Sequence, residues 1–228
     1  MKNILALFNL FYPALCLCCE CYLLDQEKIL CIGCRLDLPF VDNADYSSNL
    51  LTLVFEGRIP IERGGSFLHY RPHGKTKKLI YELKYKNNQE VGVFLGELFG
   101  KKLLESSQFS QIDCAIPVPL HKGKLRKRGY NQVTEFGKKV AAFLGIDYIE
   151  NLLLRTTSSE TQTLKKRGDR FDSLANNFKI GTPATLKNKH ILFIDDVVTT
   201  GATLEACCKE ILKAENVKIS IVTIALTE

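Results

Sequence analysis

Residues 191–212 read ILFIDDVVTTGATLEACCKEIL. An apolar run delivers two carboxylates, Asp195 and Asp196, at its end. Thr199, Thr200, Gly201, Ala202 and Thr203 then open a helical pattern. Backbone N–H groups at such a turn, the threonine hydroxyls and a glycine that admits close approach can cradle a phosphate at the positive end of a helix. A carboxylate pair beside a phosphate would repel it unless it has a separate task. Accepting hydrogen bonds from vicinal ribose hydroxyls is such a task, so the pattern fits a ribose 5-phosphate. The common nucleotide motifs are missing. There is no G-x-x-x-x-G-K-[ST] and no G-x-G-x-x-G after a strand.

A second constellation is made of sulfur. The chain has nine cysteines, and six lie between Cys16 and Cys34. Cys31 and Cys34 form one C-x2-C knuckle. Cys16 with Cys19, or Cys18 with Cys21, forms another. Four thiolates from two knuckles can surround one Zn²⁺ tetrahedrally, and a closed site of that kind is structural rather than catalytic. An odd cysteine total with a tight cluster argues for metal rather than disulfides, and for a reducing, cytoplasmic setting. Cys114, Cys207 and Cys208 have no partner spacing and read as small core residues.

The chain has 228 residues, 46% hydrophobic and 25% charged, with a net charge of +6. That mix excludes a disordered, collagenous or multi-span membrane protein. The positive charge is local. Lys122, Lys124, Arg126, Lys127 and Arg128 fall within seven residues, and residues 71–86 and 165–170 carry net +5 and +3. Together these exceed the net charge of the whole chain, so the remainder is acidic. Such clustering points to an anionic ligand rather than a uniformly basic surface.

The elements that must position these groups alternate. SFLHY and residues 112–118, 152–154, 190–194 and 217–225 read as strands, and residues 75–86, 90–105, 131–145 and 203–214 as helices. The apolar runs of the strands are nearly continuous. That pattern predicts an α/β fold with a mostly parallel sheet covered by helices on both faces. Pro39 and the polar stretch 42–49 mark a boundary, giving a cysteine module over 1–45 and an α/β domain over 46–228. Residues 4–19 are apolar but too short to span a bilayer, and Asn9 and Pro13 interrupt them. They are expected to form a short helix against the cysteine module, in a cytoplasmic protein without membrane insertion.

The segment at 195–203 resembles the phosphoribosyl-pyrophosphate (PRPP) loop of the phosphoribosyltransferases. Nearly the whole chain resembles the ComF-type competence proteins of that superfamily. The resemblance is carried by the Leu-Phe…Pro-x-x-Cys-x-x-Cys start, by Cys31 to Cys34 with Leu38-Pro39, and by Leu83-Lys84-Tyr85. It continues in Pro117-Val118-Pro119-Leu120, in Arg128-Gly129-Tyr130-Asn131-Gln132, and in Gln162-Thr163 with Arg167. The family places a Leu about four residues beyond its first knuckle. Cys16 and Cys19 with Leu23 match that better than Cys18 and Cys21, so the implied zinc ligands are Cys16, Cys19, Cys31 and Cys34.

The resemblance implies a phosphoribosyltransferase-like fold. Asp195 and Asp196 would hold the ribose hydroxyls and residues 199–203 the 5-phosphate. The turn after Pro117-Val118-Pro119 would meet the pyrophosphate, and a basic loop with Arg128, Gly129, Asn131 and Gln132 would close over it. Mg²⁺ would arrive on PRPP, bound mostly by ligand oxygens and water. Lys122, Lys124, Arg126 and Arg128 would offset charge on the departing pyrophosphate. His121 is the nearest candidate base. Two functions compete: pentosyl transfer from PRPP, in the manner of an amidophosphoribosyltransferase, and handling of single-stranded DNA on the same scaffold during natural transformation, with a competence helicase as partner. For the second, Tyr70, Tyr81, Tyr85 and Tyr130 are interleaved with the basic segments and could stack bases.

Overall fold

The computed structural model describes residues 13–156, 178–181 and 186–227. Of the expected helix over 4–19, residues 4–12 fall outside them, and 13–19 form a β-bridge from Leu15 to Tyr22 and a turn instead of a helix. Gln162, Thr163, Arg167 and the basic run 165–170 also fall outside. The elements run, in chain order, α1 (Ile32–Leu36), α2 (Leu50–Leu53), β1 (Arg63–Tyr70), α3 (Lys75–Tyr85), α4 (Glu90–Ser106), β2 (Cys114–Pro117), α5 (Lys122–Arg128), α6 (Thr134–Leu144), β3 (Asp147–Tyr148), β4 (Leu153–Arg155), β5 (Phe178–Ile180), β6 (His190–Val198), α7 (Ala202–Ile211) and β7 (Lys218–Thr227).

A five-stranded sheet has the order β1-β7-β6-β2-β3, and every neighbouring pair is parallel. The expected α/β architecture is therefore what the chain forms. β4 and β5 pair antiparallel as a separate hairpin-like unit. The central strands are apolar on both sides because both sides are covered. Leu192 and Ile194 of β6 join Leu79, Leu95, Phe99, Phe136 and Val140 of α3, α4 and α6 in one core. Ile191 and Phe193 join Leu204, Cys207, Cys208 and Ile211 of α7 in the other. Cys114, Cys207 and Cys208 are all buried. α4 and α6 meet almost backbone to backbone. A Cβ on Gly96 would lie 2.7 Å from the Phe136 carbonyl oxygen, so this crossing requires glycine.

The two faces are fed from different strands. β2 continues through the exposed α5 into α6, which packs on the first face, whereas β6 continues into α7 on the second. β2 and β6 are neighbours, in register from Cys114 with Ile191 to Pro117 with Ile194. Where adjacent parallel strands send their connections to opposite faces, a crevice opens outside their carboxyl ends. The loops after Pro117 and after Val198 border that crevice.

The segment at the expected domain boundary is built into the sheet's flank. Val41 N–H donates to the Phe67 carbonyl at 3.1 Å, His69 N–H donates to the Pro39 carbonyl at 2.7 Å, and Asn43 Nδ2 bonds the Ser66 carbonyl at 2.7 Å. Leu30, Cys34 and Leu38 share the first core with Phe67 and Leu79. Two lysines of α3 reach the cysteine module. Lys75 pairs with Asp37 at 2.5 Å, and Lys78 Nζ donates to the Cys18 carbonyl at 2.8 Å. The basic run read as a loop is helical over α5. His121 caps it, its Nδ1 accepting from Gly123 N–H at 3.1 Å, and Gly129 ends it at φ 79°. Lysine and arginine are good helix formers, and the missing apolar periodicity hid this helix. β3 and β5 are too short to show a period. Among the described residues, no helix is long and apolar enough to cross a membrane.

Candidate functional site

The phosphate-loop residues lie where the crevice opens. Thr199 and Thr200 are exposed, Gly201 is buried, and Ala202 and Thr203 are half-buried. With Asp195 and Val197 they line a depression of about 70 Å³, comparable to two waters' share of liquid volume. Gly201 has φ 72°, and a Cβ there would sit 2.7 Å from the Phe55 ring. Both its backbone angle and its neighbour therefore demand glycine. The loop is also strapped from outside. Arg58 donates through Nη1 to the Thr200 carbonyl at 2.7 Å and to the Val54 carbonyl at 2.9 Å, and through Nε to Glu205 at 2.9 Å. Neither Phe55 nor Arg58 is visible from sequence as part of a site, because their partners lie over 140 positions away.

The carboxylate pair divides. Asp195 is half-buried beside the depression, and its Oδ1 accepts from the Asp196 N–H at 2.8 Å. Burial first, then the neighbouring Asp196 charge, raises its pKa. Asp196, at the same strand end, is only 7% exposed. Its Oδ2 meets Lys84 Nζ at 2.8 Å and Gln132 Nε2 at 2.6 Å, and its Oδ1 accepts from Val197 N–H at 2.6 Å. The neighbouring strands and the chain after α5 close over it, which no local pattern reveals. Lys84 is thus a site residue that sequence reasoning quoted only as part of a motif.

The basic segment is split in the same way. Arg128 Nη1 donates to Gln132 Oε1 at 2.5 Å and its guanidinium lies 5.5 Å from the Tyr85 ring centroid. Asn131 Nδ2 donates to the Val118 carbonyl at 3.0 Å, and Tyr130 OH donates to the Leu83 carbonyl. Arg128, Asn131 and Gln132 are therefore tied to the crevice. Lys122, Lys124, Arg126 and Lys127 are exposed on α5. His121 spends Nδ1 on its cap.

The sulfur cluster lies apart, on the cysteine module. The chain hairpins there, with Cys16 N–H donating to the Cys21 carbonyl at 2.8 Å and Glu20 at φ 62°. The thiol sulfurs of Cys16, Cys19, Cys21 and Cys31 lie within 4.8 Å of one another. Four sulfurs around one Zn²⁺ at about 2.3 Å would be separated by about 3.8 Å. Cys19 and Cys31 are 3.6 Å apart and Cys19 and Cys21 3.2 Å, so the donors fit a metal such as zinc. Cys31 N–H donates to Cys16 Sγ and Cys34 N–H to Cys31 Sγ, each at 3.4 Å. Such bonds orient and stabilise metal thiolates. Three expected ligands are in the close group, and Cys21 joins them. Cys34 is buried against it: burial first, then the thiols of Cys19, Cys31 and Cys16, push its thiol up to about 12. Cys18 stands outside, its thiol raised to about 11 chiefly by burial.

No protein-family model matches the chain. Curated proteins do. Competence protein F of Haemophilus influenzae is 29% identical over 142 residues, 59% of this chain and 61% of that protein. The chain is similar to competence protein F over that span. DNA utilization protein YhgH of Shigella flexneri is 27% identical over 190 residues, 82% of this chain and 79% of that one. The Escherichia coli protein of the same name is 26% identical over an equal span. The match thus covers less than two thirds of the Haemophilus relative. Among solved structures, adenine phosphoribosyltransferase from Saccharomyces cerevisiae has a TM-score of 0.40 at 16% identity, covering 62% of this chain and 71% of that one. Glutamine PRPP amidotransferase from B. subtilis has 0.42 at 16% identity, covering 62% and 30%.

Proposed function

We propose that the crevice binds PRPP with Mg²⁺, in a protein that serves the uptake or use of DNA. The observation that carries the PRPP half is the pairing of a strapped phosphate loop with Asp195 beside its depression, at the crevice between β2 and β6. The loop N–H groups and the threonine hydroxyls take the 5-phosphate at the start of α7. Asp195, whose second oxygen is not engaged by any described residue, takes a ribose hydroxyl. Asp196 acts differently from the expectation. It holds Lys84 and Gln132, and through Gln132 it orients Arg128 toward the pyrophosphate end. Mg²⁺, when present, neutralises pyrophosphate oxygens. The DNA half comes from the relatives' names, competence protein F and DNA utilization protein. Zn²⁺ held by Cys16, Cys19 and Cys31, with Cys21 or Cys34 as the fourth thiolate, completes the reading as a structural metal.

Calorimetry with PRPP and Mg²⁺ tests this. Saturable binding that Asp195→Asn weakens at least tenfold supports it. Wild-type binding unaltered by that substitution, or none, refutes the crevice as a PRPP site. Pyrophosphate release across candidate bases then separates turnover from binding alone.

A further inference from the structure

We propose that α3 couples the cysteine module to the crevice, so that a metal held by the module's thiolates tightens PRPP binding and PRPP in turn tightens metal binding. The proposal rests on the crevice and metal readings above, and one arm of its test needs no PRPP.

α3 has eleven residues and is about 16 Å long. At its start, both halves of the sulfur cluster are attached to it. Lys78 Nζ donates at 2.8 Å to the carbonyl of Cys18, which lies between Cys16 and Cys19. Lys75 pairs at 2.5 Å with Asp37, the residue that ends α1, and Cys31 is the residue that caps the start of that helix. Cys16 and Cys19 are thus tied to α3 through Lys78, and Cys31 through α1 and Lys75. Thr76 Oγ1, donating to the His69 carbonyl at 2.8 Å, fixes the same turn to β1. The sulfurs of Cys16, Cys19 and Cys31 belong to one close group. A backbone bond from Leu17 to the Ile29 carbonyl and weak thiol hydrogen bonds join the two halves. Metal–thiolate bonds would stiffen that joint far beyond them.

At its other end, three consecutive residues of α3 reach the crevice. The Leu83 carbonyl, one of the last-turn carbonyls that a helix leaves without an internal donor, accepts from Tyr130 OH. Lys84 Nζ lies 2.8 Å from Asp196, and Arg128 faces the Tyr85 ring at 5.5 Å. Arg128 also donates to Gln132, whose amide shares Asp196 with Lys84. Between the two ends, Leu79, Ile80 and Leu83 lie in one core with Leu30, Cys34 and Leu38 of the module. A shift of α3 against the sheet therefore moves Lys84, Tyr130 and Arg128 together, and helix shifts of about 1–2 Å are an ordinary step between two packed arrangements. The sign follows from ordering. When α3 is loose, PRPP must order Lys84 and Arg128 as it binds, and that cost weakens its affinity. By linkage, the effect of metal on PRPP equals that of PRPP on metal.

Calorimetry with PRPP and Mg²⁺, on zinc-loaded protein and on protein stripped of zinc under reducing conditions, tests the coupling. Stripping should weaken PRPP binding roughly 5- to 150-fold. Lys75→Met combined with Lys78→Met leaves every thiol in place and should retain zinc by elemental analysis. That zinc-loaded variant should bind PRPP more weakly than zinc-loaded wild type, a comparison that needs no stripped protein, and stripping it should change affinity less than about twofold. Lys189→Met, which removes the ion pair with Asp113 at the amino ends of β6 and β2, should keep the wild-type factor, so a general loss of stability does not mimic the result. Amide hydrogen exchange without PRPP gives a second measure. Stripping zinc should speed exchange at 83–86 and 129–133 in wild type and change it little in the double lysine variant. Unchanged PRPP affinity after stripping, wild-type affinity and coupling in the double lysine variant, or faster exchange confined to residues 13–41 overturns the coupling and leaves the crevice reading intact. No PRPP binding by zinc-loaded wild type refutes the crevice reading and the PRPP linkage with it, and the exchange pattern alone then decides whether α3 joins the two parts.

Discussion

Lys84→Met should unseat the buried carboxylate of the crevice. Lys84 Nζ lies 2.8 Å from Asp196, with the two side chains 23% and 9% exposed. At that distance and an effective dielectric of about 20, the gross attraction is about 6 kcal/mol. Desolvation offsets most of it in the intact pair. Removing one partner from a fully buried pair costs about 3–5 kcal/mol. Here Lys84 keeps some water, and Gln132 and the Val197 N–H remain on the carboxylate. The expected loss is therefore smaller, about 2–3 kcal/mol, a fall in Tm of roughly 5–10 °C for a chain of this size. Asp196→Asn keeps a hydrogen-bonding group of the same shape and leaves an ammonium that can turn toward solvent, so about 1 kcal/mol is expected. The double variant should be less destabilised than the sum of the singles by at least about 1 kcal/mol. Urea denaturation of all four proteins measures that coupling. Additivity would show that the ion pair contributes nothing and that Asp196 is held by Gln132 and the backbone alone.

Three further outcomes follow from other parts of the molecule. Gly201→Ala forces a side chain into the left-handed region and against Phe55, at a combined cost of about 2–5 kcal/mol by denaturation; a change under 1 kcal/mol would mean the loop readily shifts. Asp195 has a raised folded pKa, so its cost to stability is absent below the ordinary carboxylate pKa and grows as pH rises toward the folded value; Asp195→Asn should match wild-type Tm at acid pH and exceed it at alkaline pH, and an equal difference at all pH values would contradict this. Cys31→Ser should abolish zinc by elemental analysis and Cys18→Ser should not, whereas a Co²⁺ thiolate spectrum altered by Cys21→Ser but not by Cys34→Ser would assign the fourth ligand to Cys21.

The alternation of strands and helices was legible because each main strand is apolar on both sides and each long helix has a period. β6, α4, α6 and α7 need no information beyond their own residues. The phosphate loop was legible for the same reason: strand end, carboxylates, hydroxyls and glycine are contiguous. The knuckle spacing pointed to a metal-binding cluster by the same local logic. α5, β3 and β5 were not legible, since one is a basic helix with a single large apolar side chain, Leu125, and so no apolar period, and the others are two or three residues long.

Only the tertiary structure decided what each charged group does. The order β1-β7-β6-β2-β3 brings Lys84 and Gln132 from distant positions onto Asp196, and so separates two adjacent aspartates into one that faces the crevice and one that holds its wall. It places Arg58 on the Thr200 carbonyl and Phe55 under Gly201. It adds Cys21 to the close sulfur group and leaves Cys18 outside. Local sequence sets backbone preference and the side a residue presents. Whether a lysine is paired, a tyrosine is covered or a carboxylate is buried depends on which residues the chain's crossings bring beside it, and those contacts carry no local signature.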